Sequence, residues 1–425
     1  MRYKSAKLQV LGLQGPACGN EKCIQSAYSI LESIDRRVDP CEDFYEFACG
    51  NWGRAHPVSE AEISNTWFNE RSQFLVRRLK DLLQENGTSS EPRAVKEAKF
   101  FFAACKDIDT LEDLGLEPIM EILGNLSLPR QIPDSKTAAG WDIATTLAKA
   151  QKLLSLDTLV QLGPDVDSSD NEKLILSLSP PTEARPLVGA LVSDPEEMPR
   201  AARISNKEIV KARFSYMSGI LGEMDAWGKT DDDTKHNDSY ISAAVFKILI
   251  FSAEVSEGIS EEVTNSSSNN NAKMTLSTLQ SIMDFKIKDA KYKHKIIWKN
   301  YMTALLEGTG VSFDVDNDIL SVTDVTYFLN LAVVISKSRL ETVQRYVWWQ
   351  VVHLLAIHTN KAMRNLRNQM LEQIFGSIDS PSRSTVCLKR VKKLMPMAIS
   401  YTLASEEDVI STVSKNVSGN MFQKF

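Results

Sequence analysis

A chain of 425 residues, 43% hydrophobic and 24% charged, has the composition of a soluble folded protein with at least one sizeable core. Its formal net charge of -6 arises from acidic and basic residues mixed along the chain, so no basic stripe offers a footprint for a phosphate backbone and nucleic acid is not an expected partner. No run approaches the roughly 20 consecutive apolar residues of a membrane helix; the nearest are Ala243–Phe251 and Val347–Ile357, so no membrane span is expected.

At the amino terminus Met1-Arg2-Tyr3-Lys4 begins like the basic part of an export signal, but Leu8–Leu13 is interrupted by Gln9 and Gly12 and is too short for a secretory core. Ile24, Ala27, Leu31 and Ile34 recur at helical spacing and predict a short amphipathic helix ending near Asp35-Arg36-Arg37. After Pro40, the segment Cys41–Gly50 reads as a second short helix with Phe44, Phe47 and Ala48 on one side and Gly50 as its stop. A longer helix is predicted over 65–84, capped by Asn65 or Thr66, with Phe68, Leu75, Leu79 and Leu82 as its apolar stripe. Another opens near Ser90-Glu91-Pro92 and turns Val95, Ala98, Phe102 and Cys105 inward.

The helical period returns over 141–156. Then Thr158–Leu162 and Leu174–Leu178, two β-rich runs around a polar loop, predict a β-hairpin closed by Pro180-Pro181. A loose proline-bearing stretch to about Pro199 precedes helices over 207–221 and 240–255, and the Ser/Asn tract 265–271 reads as a surface loop. In the last third, Val347, Val351, Leu354 and His358 share one face, as do Met363, Leu366, Met370 and Ile374, which predicts a long helix or a helical hairpin. The fold class is therefore mainly α, a multi-helix lobe with a small β-hairpin.

Peptide hydrolysis by zinc needs two histidines one helical turn apart and a glutamate beside the first, the pattern His-Glu-x-x-His. His56, His236, His294, His353 and His358 are followed by Pro57, Asn237, Lys295, Leu354 and Thr359, so none begins that pattern. His353 and His358 stand five apart, roughly 140° round a helix, and cannot both face one ion; both are read as structural. No Gly-x-Ser-x-Gly elbow and no phosphate-binding Gly-x-x-x-x-Gly-Lys-Ser/Thr loop occurs, so no catalytic or metal-ligating residue is assigned. Cys18-x-x-x-x-Cys23 reads either as a small disulfide loop or as two buried thiols. Asn-x-Ser/Thr sequons begin at Asn86, Asn125, Asn237, Asn265 and Asn416 and are candidate glycosylation sites.

Cys18-x-x-x-x-Cys23-Ile24-x-x-Ala27, followed by Val38-Asp39-Pro40-Cys41-Glu42-Asp43-Phe44-Tyr45 and Ala48-Cys49-Gly50-Asn51-Trp52, resembles the neprilysin and endothelin-converting enzyme family. Cys105 in its Ala-Cys context, Lys273–Gln280 and Cys387 extend the resemblance over nearly the whole chain, thinly between Pro180 and Asn271. It implies disulfides Cys18–Cys23 and Cys105–Cys387. Cys41 and Cys49 are implied to remain thiols, because the cysteines that bridge to these positions belong to the family's catalytic half. Residues 18–425 then correspond to the amino-terminal, substrate-sieving lobe, preceded by a disordered segment 1–17.

The family's zinc lies in the other, carboxyl-terminal lobe, so the resemblance implies no cofactor in this chain, a catalytic half as its missing partner, and peptides as substrates of the complete enzyme. It also implies an extracellular or cell-surface location. An apolar substrate pocket residue of the family matches Phe68, for which burial statistics favour the alternative of a core position. The family's carboxylate-gripping arginine falls at Ser64, and two further charged positions fall at Asn69 and Ser72. Serine lacks the guanidinium fork, so either carboxylate selection is lost or Arg71 supplies it. The sequence leaves two functions open: the sieving lobe of a zinc metalloendopeptidase, inactive by itself, or a catalytically dead secreted paralogue that binds peptides or proteins.

Overall fold

A computed structural model describes residues 21–58, 65–167, 169–181, 206–227, 238–257, 272–375 and 382–405. The chain divides into two compact units, Met1–Asp81 and Leu82–Phe425. The expected disordered segment 1–17, the stretch up to Pro199 beyond Pro181, and the Ser/Asn tract lie outside the described residues.

The first unit is built from short helices held by polar locks. Helix α1 spans Glu21–Ser33, α2 Phe44–Cys49 and α3 Trp52–Ala55; α4, Trp67–Gln84, begins in this unit. Asp43 caps α2 by accepting from the Glu46 N–H at 2.9 Å. A Cβ at Gly50 would stand 2.5 Å from the Glu46 carbonyl oxygen, which is the physical reason a glycine follows Cys49. Asp35 ties the layers: its N–H donates to the Phe47 carbonyl at 2.8 Å, while its carboxylate receives Arg37 side-on, Nε at 2.8 Å and Nη2 at 2.5 Å. These Arg37 hydrogen bonds hold the Asp35 carboxyl down at about 2. On α1 the predicted apolar face is not enclosed: Ile24 and Leu31 are more than half exposed, Ala27 is exposed and Ile34 is intermediate.

In the second unit α5 (Arg93–Lys106), α6 (Ile108–Leu114), α7 (Glu117–Asn125) and α8 (Ile143–Leu154) lead into strands β1 (Gln161–Asp167) and β2 (Asp170–Ser179). After them come α9 (Asn206–Ala226), α10 (Asp238–Glu257), β3 (Ala272–Thr275), α11 (Leu276–Lys286), α12 (Trp298–Leu306), β4 (Ile319–Val322) and α13 (Val325–Lys337). The chain then forms α14 (Leu340–Ala356), α15 (Lys361–Phe375), α16 (Arg383–Leu394) and α17 (Pro396–Ala404). Asp107, Asp142, Thr275 and Asp324 each cap the helix that follows by accepting a backbone N–H of its first turn.

The predicted hairpin is part of a larger sheet. β1 and β2 pair antiparallel, β2 runs parallel to β4, and β3 closes the order β1-β2-β4-β3 antiparallel to β4. The two added strands have four residues each, too short for a periodic signal to separate them from loops. The first strand also begins at Gln161 rather than Thr158 and runs through Pro164, which is tolerated because β1 is an edge.

A large apolar core runs through this unit, with Phe251, Trp298, Tyr301, Tyr327, Phe328 and Trp348 fully buried, while Val95, Ala98, Phe102, Leu388 and Val391 of α5 and α16 are buried apart from it. Helix α10 is long and apolar enough to cross a membrane, but Ile241, Ala244, Val245, Ile248, Phe251 and Val255 are buried in this core, so it reads as a core helix. Helix α14 carries the polar groups that satisfy the loop between α7 and α8: Arg345 Nε donates to the Pro133 carbonyl at 2.5 Å, Trp348 Nε1 to the Pro129 carbonyl at 2.9 Å and Gln344 Nε2 to the Thr137 carbonyl at 3.3 Å. It ends at Ala356, two residues short of His358, which sits in the turn before α15; of the expected long helix or helical hairpin, the single long helix is thus excluded and two helices form.

Helices α5 and α16 are joined by a disulfide, Cys105–Cys387, with Cα atoms 5.8 Å apart across a sequence separation of 282. Arg383 reinforces the joint, donating to the Cys105 carbonyl at 2.8 Å and to the Ile357 carbonyl at 2.9 Å.

Candidate functional site

Within the first unit, α1, α3 and the first turns of α4 frame a cleft of about 320 Å³. Its floor is aromatic: the Trp52 and His56 rings stack with centroids 4.5 Å apart and an interplanar angle of 14°. That stack follows from the four-residue helix α3, which puts positions 52 and 56 one turn apart. Glu70 accepts from Asn65 Nδ2 at 3.1 Å and meets His56 Nδ1 at 2.7 Å, so the α4 carboxylate fixes the imidazole edge-on. Arg71 lies over the Trp67 ring, 5.3 Å from its centroid, and Phe74 and Arg77 continue the wall. A half-exposed aromatic surface beside two guanidinium groups can hold an apolar side chain and an adjacent carboxylate.

On α4 the residues divide into two faces. Trp67, Glu70, Arg71, Phe74 and Arg77 recur at i, i+3, i+4, i+7 and i+10 and line the cleft. Phe68 and Ser72 point elsewhere and are exposed, Phe68 at 77%. The reading of Phe68 as a core residue at the head of a stripe is therefore corrected: Leu79 and Leu82 are buried at 3% and 4%, Leu75 is intermediate, and the stripe fails before it reaches Phe68. The Trp67 and Phe68 rings meet edge to face at a centroid distance of 5.4 Å. Asn69 uses its backbone N–H on the Thr66 hydroxyl at 3.1 Å, the cap expected there. Ser64 lies outside the described residues. Sequence reasoning followed the apolar stripe and missed Trp67, Glu70, Phe74 and Arg77, although their helical spacing from Arg71 was readable.

His353 and His358, set aside as structural, sit among arginines. His353 Nδ1 is 3.0 Å from the Tyr216 hydroxyl and its ring stacks on Trp349. Burial, and then the positive charge of Arg213, Arg367 and Arg390, push it down to about 3. His358 is pushed down to about 3 by burial and by Arg390, Arg383 and Arg367. Among the described residues no three His, Cys, Asp or Glu side chains are grouped as metal ligands, and with no His-Glu-x-x-His in the sequence the residues present do not fit a hydrolytic zinc.

Cys41 and Cys49 are exposed thiols, and Cys23 is in a disulfide whose proposed partner, Cys18, lies outside the described residues. Asn86 and Asn125 are exposed, while Asn237, Asn265 and Asn416 lie outside.

The sequence profile of the amino-terminal domain of peptidase family M13 matches residues 40–423. The chain belongs to peptidase family M13. Human endothelin-converting enzyme-like 1 is 22% identical over 394 residues, which cover 92% of this chain and 47% of that protein. Rat endothelin-converting enzyme 1 reaches 34% identity, but over 154 residues, 34% of this chain and 18% of the relative. Among solved structures, the open state of the Mycobacterium tuberculosis zinc metalloprotease ZMP1 superposes with a TM-score of 0.62 at 14% identity, covering 90% of this chain and 53% of that one, which shows the shared fold. This M13 chain thus spans about half the length, or less, of the relatives it matches. The neprilysin resemblance and the mainly helical fold stand, with a four-stranded sheet where a hairpin was expected.

Proposed function

We propose that this chain is the substrate-sieving half of an M13 metalloendopeptidase, which encloses peptides for a zinc-bearing half and is inactive by itself. One observation carries this: a profile match to the family's amino-terminal domain over residues 40–423 in a sequence with no His-Glu-x-x-His. The residues offered to peptides are Phe68, whose ring is exposed outside the cleft and not packed in the core, and the Arg71 guanidinium beside Trp67 within it. A buried disulfide fits folding in an oxidising, extracellular compartment, as do the exposed sequons Asn86 and Asn125.

A second reading, a secreted non-catalytic paralogue that binds peptides, is favoured by Ser64, Asn69 and Ser72 at positions where the family resemblance implies charge. Both readings are tested by incubating the purified chain with zinc and a quenched peptide. No chelator-sensitive cleavage is expected, and such cleavage would overturn both. An open reading frame running past Phe425 to a His-Glu-x-x-His favours the first; retention of peptides by the chain without the zinc-bearing half favours the second.

A further inference from the structure

In a chain of net charge -6, the run 286–299 holds six lysines against one aspartate. Lys286, Lys288, Lys291 and Lys293 are exposed, while Ile287 turns inward at 8% exposure. The mixing of charges over the whole sequence hides this run, and the fold adds to it. The Tyr292 N–H donates to the Ser336 carbonyl at 3.0 Å, which brings the end of α13, with Lys337 and Arg339, against the non-helical segment 291–297.

Tyr292 is the centre of the cluster. Lys291 and Arg339 both lie close enough to act on its hydroxyl, and these two cations hold the phenol below the ordinary tyrosine range. Lys291 Nζ also stands 5.1 Å from the ring centroid, and the His294 ring stacks on the same tyrosine at 5.7 Å. Cations gathered around one neutral side chain repel each other, and an oxyanion among them would turn that cost into attraction. Arg339 meets Glu341 at 3.7 Å, too far for a strong hydrogen bond, and of the nearby lysines Lys295 is the one engaged with a carboxylate, Asp284, at 2.6 Å.

We propose that the surface formed by Lys291, Tyr292, Lys293, Lys337 and Arg339 binds a sulfated polysaccharide. Several cations spread over a surface hold a polyanion through many weak contacts, where a single small anion would find one. The stacked Tyr292 and His294 rings add a flat face beside the charges, against which sugar rings can lie. The Cys105–Cys387 disulfide fits an oxidising compartment, where sulfated polysaccharides rather than nucleic acids are the common polyanions. An anionic bilayer is the rival occupant because Phe285, 80% exposed, stands beside the run. The polysaccharide is favoured because Ile287, the other large apolar side chain within the lysine run before Tyr292, is buried and cannot insert.

The test is the salt dependence of binding of the purified chain to heparin. The chain should be retained at low salt and released as salt screens the contacts, and Lys291→Glu/Lys293→Glu should weaken binding about tenfold or more without changing the melting temperature. Arg339→Gln should weaken it by a smaller factor, whereas Lys207→Glu/Lys211→Glu, with the same change in net charge, should not. Failure of the parent to bind overturns the proposal, as does equal weakening by the two lysine pairs. So does tighter binding to vesicles of one part phosphatidylserine to three parts phosphatidylcholine that is lost in Phe285→Ala, or to single-stranded DNA of matched length.

Discussion

Phe68 shows how far a single side chain can depart from its helical neighbours. A ring 77% exposed contributes little to folding, so Phe68→Ala should shift stability by no more than about 0.5 kcal/mol, against about 3 to 5 kcal/mol for a core phenylalanine. Thermal unfolding of the variant measures the difference, and weaker peptide retention at an unchanged melting temperature would support a contact role. His353 and His358 make the opposite case. Their folded values of about 3 lie below the ordinary 6.5, so between those limits the unfolded chain binds more protons. Stability from this source is complete above about pH 6.5 and is lost as pH falls towards 3, by up to about 1.4 kcal/mol per pH unit for each histidine. Denaturant titrations from pH 7 to 4 should show that slope, and His353→Gln should flatten it.

Among elements, the junction after α6 depends on one glycine. Gly115 has φ +55°, and a Cβ there would stand 2.1 Å from the Trp227 ring. Both the left-handed backbone and the lost space oppose a side chain, so Gly115→Ala should cost about 1 to 3 kcal/mol, read as a lowered melting temperature. Helix α4 illustrates what element-level reading captures. Its span and its Thr66 cap were legible because caps and helical periods are local properties, fixed within a few residues of sequence. Which of its faces would line a cleft was not, because Trp67, Glu70, Arg71 and Phe74 gain that role from Trp52 and His56 on a different helix. The strands Ala272–Thr275 and Ile319–Val322 were missed for a related reason: four residues carry almost no periodic signal, and their pairing partners lie far along the chain.

For the whole molecule, the bond between α5 and α16 closes a loop with a sequence separation of 282. Replacing Cys105 and Cys387 together by alanine should lower stability by about 2 to 5 kcal/mol in unfolding experiments, since the disulfide limits the freedom of the unfolded chain. Alkylation of the folded, unreduced protein should label Cys41 and Cys49, which are exposed thiols, and leave Cys105 and Cys387 untouched. Labelling at Cys105 would contradict the bond. Sequence by itself determined the family, through cysteine and aromatic runs too specific to arise by chance, and it determined that the pattern His-Glu-x-x-His does not occur in these 425 residues, because no histidine is followed by glutamate. Only the tertiary structure decided that Phe68 is exposed, that His56 and Glu70 meet, and that the segment carrying Arg339 lies against Tyr292. Burial and proximity between distant residues are set by how elements pack, and no local pattern encodes them.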